Sequence, residues 1–170
     1  MYDVSFIVHY YSIFILRCTN KWKKVGEGVY GEVFSYSNGN QCTIVKIIPV
    51  EGEVNINSEN QKKMFEVYSE IIIATELNKL WNKSNLNQTS SFCKLKRVSC
   101  VKGKYPNILI NYWQKYDNDK GSDNDNPNIL PKDQIFMILE MENGGIDVEN
   151  FIFNSADQSL FAFLQIVFGL

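Results

Sequence analysis

A chain of 170 residues, 45% hydrophobic and 14% aromatic, can bury the core of one compact domain and is too short for two ordinary ones. Its formal net charge of −2 and isoelectric point near 5.5 exclude binding to nucleic acid or an anionic membrane through a broadly basic face, so an anionic ligand has to be held locally. The four cysteines, Cys18, Cys42, Cys93 and Cys100, form no C-x-x-C pair and match no zinc or disulfide framework, which points to reduced thiols in an intracellular protein.

The chain opens on an apolar and aromatic run, Val4 to Leu16, interrupted by His9, Tyr10 and Tyr11. It is shorter than the roughly 20 residues that span a bilayer. No basic segment precedes it and no small-residue cleavage site follows, so it does not read as a signal peptide and no membrane association is expected. Residues 1–20 stand as an apolar segment of open role: a packing strand, a mispredicted exon or an anchor.

Trp22 to Gly26 and Glu32 to Tyr36 read as strands around a glycine-rich turn. Asn38-Gly39 is a strong hairpin signal, because both central residues of a type I′ turn need positive φ. A third strand is predicted from Gln41 to about Ile48, ended by Pro49, which cannot donate to a ladder. The turn itself is G-E-G-V-Y-G: Gly26, Glu27, Gly28, Val29, Tyr30 and Gly31, followed by Val33. In a dinucleotide-binding unit such a turn leads from a strand into a helix. Here it leads into a second strand, the context of a hairpin flap that folds over nucleotide phosphates. Glycines serve such a flap because backbone N–H groups must approach phosphate oxygens with no Cβ in the way. An ordinary glycine-containing hairpin is the other reading of the motif alone.

Ile44-Val45-Lys46-Ile47-Ile48 places one lysine inside an apolar strand. A charge there costs several kcal/mol unless it is paired or reaches water, so Lys46 either finds an anion or snorkels at an edge. A helix is predicted from about Glu59 to Trp81, opening with Ser58 and Gln61 in capping-box spacing. Met64, Val67, Ile71, Ala74, Leu77 and Trp81 recur at three- and four-residue steps and form its core stripe. Glu70 falls at the margin of that stripe, beside Val67, Ala74 and Leu77. A strand lysine and a helix glutamate that pair, with the lysine also contacting the phosphates of ATP, are the arrangement of a protein-kinase N-lobe.

A polar loop with N-x-S/T sequons at Asn82 and Asn87 follows, and the sequons carry no functional weight. Strands are predicted around Lys94 to Val101 and from Gln134 to Met141. Glu142-Asn143-Gly144-Gly145-Ile146-Asp147 reads as a connector whose backbone would bond the adenine edge, with Met141 as gatekeeper before it. Asp147 suits ribose hydroxyls and equally suits the N-cap of a helix beginning near Val148. Ser159 to Leu170 is almost continuously apolar, as in a helix buried on most sides. Asp117, Asp119, Asp123 and Asp125 form an acidic stretch; it reads as a solvated loop, the alternative being a docking site for a basic peptide.

The segments I-V-K-I-I-P-V-E-G (44–52), S-E-I-I-I-A-T-E-L (69–77), V-S-C-V-K-G-K-Y-P (98–106), Y-D-N-D-K-G-S-D-N-D-N-P (116–127) and E-N-G-G-I-D-V-E-N-F (142–151) resemble the haspin kinases in the right order. The insert at 102–132 is particularly similar to theirs. The resemblance implies an α+β fold: a protein-kinase-like N-lobe, a five-stranded antiparallel sheet plus its αC helix, over 21–141. A hinge at 142–147 and the start of a helical C-lobe at 148–170 would follow, the domain being truncated. It implies ATP contacts from Gly26 through Val33 and at Lys46, the Lys46–Glu70 ion pair, backbone adenine contacts at Glu142 and Gly144, and a ribose contact at Asp147. Two positions depart from the family's pattern, which tends to an aromatic gatekeeper at Met141 and a proline at Ser69.

The family's chemistry also needs an H-R-D-type catalytic loop and a D-Y-T metal-binding segment. The only histidine is His9, followed by Tyr10. The catalytic aspartate and the Mg2+ ligands are therefore expected outside these residues, and the 170 residues alone are expected to be inactive. By resemblance the implied protein is a serine/threonine kinase using ATP with Mg2+ on the histone H-3 tail, in the nucleus and on mitotic chromosomes. A truncated pseudokinase or binding module, and a membrane-anchored or secreted protein, are the alternatives.

Overall fold

A computed structural model describes residues 9–10, 21–39, 41–81 and 88–169. In chain order they form β1 (His9–Tyr10), β2 (Trp22–Gly28), β3 (Gly31–Asn38), β4 (Gln41–Val50), α1 (Met64–Lys79), β5 (Leu95–Lys102), α2 (Asn107–Lys120), a 3-10 turn (Pro127–Ile129), β6 (Ile135–Glu142) and α3 (Ala156–Gly169). The strands make one sheet in the order β1-β5-β6-β4-β3-β2. β2 through β6 are the expected five antiparallel strands. The addition is β1, which pairs in parallel with Val101 and Lys102. The rest of the apolar opening run, Cys18 and both sequon asparagines lie outside the described residues. Among the described residues no helix is long and apolar enough to cross a membrane, and Cys42, Cys93 and Cys100 are free thiols.

Strand alternation gives the sheet two buried faces. Phe34, Val45, Ile47, Phe136 and Ile138 pack on one face with Leu109 and Ile110 of α2. Ile48, Val50, Met137 and Leu139 pack on the other with Val67 and Ile71 of α1. Each such side chain removed from water contributes about 1.5–3 kcal/mol. The helix within the insert is what the sequence reading lacked: residues 102–132 hold α2, and Asp117 and Asp119 lie on it rather than in a loop. Lys46 alternates with Val45 and Ile47, so it projects to the α1 face.

Of the expected boundaries that move, three stand out. β4 runs through Pro49 to Val50. Its register with β3 ends at Ile47, so beyond that point only β6 flanks the strand and a proline can sit on its open side. The helix expected from Glu59 starts at Met64. Asn57 and Ser58 hold left-handed backbone, φ 54 and 66. Gln61 is buried in a reciprocal amide pair with Gln134 (3.0 and 2.8 Å) and accepts from Gly52 N at 2.9 Å, so it cannot close a box with Ser58. The helix entry is satisfied instead by Glu66, which accepts from Lys63 N, and by Glu51, which accepts from Met64 N, both at 2.6 Å. Finally, no helix begins at Val148; 148–150 form a turn. α3 begins at Ala156, where Ser155 Oγ accepts from Gln158 N at 3.2 Å. On α3 the apolar Leu160, Phe161, Phe163, Ile166, Val167 and Phe168 are exposed, as expected of a helix whose packing partners are not among these residues.

Candidate functional site

The site gathers on the α1 face of the sheet. Cross-strand neighbours in an antiparallel pair point the same way, and the register pairs Gly26 with Val33, Val33 with Lys46 and Lys46 with Leu139. Met141, two residues beyond Leu139, shares that face and packs against its core. A register shift at Val25 makes this arrangement possible. The extra residue of a bulge reverses the alternation, so Gly26 and Gly28 turn toward the Lys46 face while Lys24 and Glu27 both turn toward α2.

Lys46 Nζ lies 2.7 Å from Glu70 Oε1, with 31% of the lysine side chain and 39% of the glutamate's exposed. The charges are therefore paired at the margin of the core, open to solvent on one side. Asn78 sets the height of α1 above the sheet: its buried side chain donates to Leu95 O (2.7 Å) and accepts from Leu95 N (2.9 Å).

The glycines of the turn divide by what surrounds them. A Cβ on Gly31 would collide with the Ile47 carbonyl, so close approach of two strands requires that glycine. On Gly28 a Cβ would meet nothing within 4 Å, and on Gly26 only Val33 Cβ at 3.9 Å. Protein packing thus leaves Gly26 and Gly28 bare on the Lys46 side. Tyr30 leans on the α1-face core, with Lys62 Nζ 4.5 Å from its ring centroid, while Val29 at the tip is 56% exposed.

Past Met141, Glu142 remains in β6 and its N–H donates to Lys94 O at 2.8 Å. Asn143 through Asp147 form an exposed connector, turned by Gly145 at φ 88 with its N–H given to Asn143 Oδ1 (3.0 Å). Asp147 caps a turn rather than a helix: its Oδ1 accepts from Asn150 N (2.8 Å) and Nδ2 (2.7 Å).

On the opposite face sits a charge cluster that the sequence reading missed. The fully buried Lys24 side chain pairs with Glu27 (2.6 Å) and with Glu32, and its ammonium lies 4.5 Å from the Tyr116 ring and 5.4 Å from Trp113. Burial pushes the Glu32 carboxyl above its ordinary value despite Lys24. Burial acts the same way on Glu27, but the hydrogen bonds from Lys24, Ser122 and the Asp123 amide outweigh it and lower that carboxyl. The stretch read as a solvated acidic loop is therefore partly structural. Asp117 Oδ1 accepts from Ser122 N (3.0 Å), and Asp125 Oδ2 accepts from Asn57 N (2.7 Å).

A family model described as Haspin like kinase domain matches residues 2–170. The chain is 42% identical over 155 residues to the serine/threonine-protein kinase haspin homolog of Drosophila melanogaster, covering 87% of this chain and 27% of that protein. It is 43% identical over 127 residues to the serine/threonine-protein kinase haspin of Bos taurus, 75% of this chain and 16% of that protein. To the Arabidopsis thaliana homolog it is 32% identical over 149 residues, 86% of this chain and 24% of that protein. The chain thus spans about a quarter or less of the length of these relatives.

Proposed function

The chain belongs to the haspin-like kinase family, and we propose that these residues are the ATP-binding part of a serine/threonine protein kinase acting on the N-terminal tail of histone H-3, in the nucleus and on mitotic chromosomes. The observation that carries the reading is the 2.7 Å Lys46–Glu70 pair on the sheet face to which the bare glycines of the turn point. Lys46, held extended by Glu70, donates to the α- and β-phosphates, while the backbone N–H groups of residues 26–31 close over the phosphate chain. Val33 and Met141 offer apolar surface to the adenine, the backbone at Glu142 and Gly144 bonds its edge, and Asp147 offers a carboxylate to the ribose.

ATP carries its triphosphate with Mg2+. Among the described residues there is no group of three or more His, Cys, Asp or Glu side chains that could hold such an ion. What these residues supply is orientation: a fixed phosphate chain is the larger part of phosphoryl-transfer catalysis, which gains mostly from positioning and electrostatics.

The test is calorimetric titration of the chain with ATP, followed by transfer of the labelled γ-phosphate of ATP to a histone H-3 tail peptide, with release of ADP, by a protein that carries these residues together with the rest of the kinase domain. Submillimolar ATP binding and labelling of a threonine are expected. Absence of ATP binding would sink the site, and transfer only to unrelated peptides would sink the substrate.

A further inference from the structure

The segment that follows α2 reaches back to the glycine-rich hairpin from the face opposite Lys46. Ser122 Oγ donates to Glu27 Oε2 at 2.7 Å, and the Asp123 amide donates to Glu27 Oε1 at 2.9 Å. One residue on, Asn124 Nδ2 donates to the Gly28 carbonyl (3.1 Å) and to Glu32 Oε1 (2.9 Å), with the Gly31 carbonyl 3.4 Å away. Asn57 Nδ2 donates to the Val29 carbonyl at 2.8 Å. Asn57 is itself locked to the same segment: its Oδ1 accepts from Asp125 N at 2.6 Å and its N–H donates to Asp125 Oδ2 at 2.7 Å. The anchor beneath is Lys24, which donates to Ser122 Oγ at 3.3 Å.

A turn with glycines at both ends has few side chains to fix it, and here side-chain amides take its carbonyls instead. The consequence follows from peptide planarity, because a trans peptide points its C=O and N–H in opposite directions. With the Gly28 carbonyl drawn toward Asn124, the Val29 N–H points away from the α2 face. With the Val29 carbonyl drawn toward Asn57, the Tyr30 N–H is turned away from Asn57 in the same manner.

We propose that Asn124 and Asn57 are positioning residues that hold the glycine-rich turn from behind, so that its Val29 and Tyr30 amides face a nucleotide phosphate. The insert is thus a clamp on the phosphate flap, present before any nucleotide arrives. This rests on the nucleotide reading above. It goes further by assigning to two neutral side chains outside the pocket the task of keeping N–H groups preorganised for an anion.

The experiment compares the full chain with Asn124→Ala and Asn57→Ala by two readouts: amide hydrogen exchange across residues 26–33 without nucleotide, and titration with ATP and with adenosine. Both variants should exchange faster in that segment and bind ATP about three- to tenfold more weakly, the size of one lost hydrogen bond. Adenosine affinity should be unchanged, because adenosine carries no phosphate. Unchanged exchange overturns the clamp. Faster exchange with equal losses for ATP and adenosine, or with no loss for ATP, overturns its phosphate role. Wild-type chain that binds neither ligand removes the nucleotide reading and the phosphate role together, while exchange still decides whether the asparagines hold the turn. The two substitutions lie in different segments, so misfolding of one leaves the other to decide.

Discussion

Replacing Glu70 by glutamine separates two meanings of the Lys46–Glu70 pair. At 2.7 Å the attraction between unit charges is about 1.5 kcal/mol at the dielectric of water. Both side chains are about one-third exposed, and ordering two long side chains offsets much of that gain, which leaves about 0–1 kcal/mol of net stability. For a chain of this size, that is a melting shift of no more than about 2–4 °C. The effect on nucleotide should be larger. Lys46 released from its carboxylate must be reordered at each binding event and its phosphate bonds are charge-assisted, so ATP affinity should fall about tenfold or more. Differential scanning fluorimetry and calorimetric titration on the same preparations give both numbers. A melting loss above about 8 °C with ATP affinity intact would mean the pair is a fold element and would refute the argument.

Gly31→Ala drives a methyl group into the Ile47 carbonyl and should destabilise the fold by about 1–3 kcal/mol in chemical denaturation. Gly28→Ala meets no atom within 4 Å, so it should leave the denaturation midpoint nearly unchanged while weakening ATP binding. Asn78→Ala leaves two buried backbone groups of Leu95 unpaired, a loss of about 2–4 kcal/mol by the same assay. Glu27 has a lowered carboxyl pKa in the fold, so it adds stability above about pH 4.5 that is lost as pH falls through its folded value. Glu32, raised by burial, has the opposite sign and favours the fold below about pH 4.5. The melting advantage of the wild type over Glu27→Gln should accordingly be greatest near pH 6 and shrink toward about pH 3.

What was legible in the sequence was local and periodic. A hairpin near Asn38-Gly39 and the apolar alternation around Lys46 were readable because each signal lies within a dozen residues of its consequence. Asn38, however, closes β3 opposite Gln41 rather than serving as a central turn residue, and only Gly39 of the two has positive φ. Strand alternation then turns Lys46 to the α1 face, where it meets Glu70. Boundaries moved where a distant partner intervened: Gln61 answers to Gln134 rather than to Ser58, and Pro49 is tolerated because β3 has already ended. The charge cluster and the clamp were not legible. Lys24 meets Ser122 across 98 positions, and Asn57 meets Asp125 across 68. The bulge at Val25 that turns Lys24 and Glu27 to one face lies between Lys24 and Gly26, a glycine that reads equally well as part of the turn. The one local hint was an asparagine at position 57, a residue that adopts left-handed backbone more readily than most.

The most direct test of the nucleotide site asks which lysine touches the phosphates. An acyl-phosphate derivative of ATP transfers its acyl group to an amine held beside the phosphate chain, and tryptic mass spectrometry locates it. Acylation concentrated on Lys46, and abolished by excess ATP, is the predicted result. Labelling spread over exposed lysines such as Lys63 and Lys79, with no protection by ATP, would contradict the account.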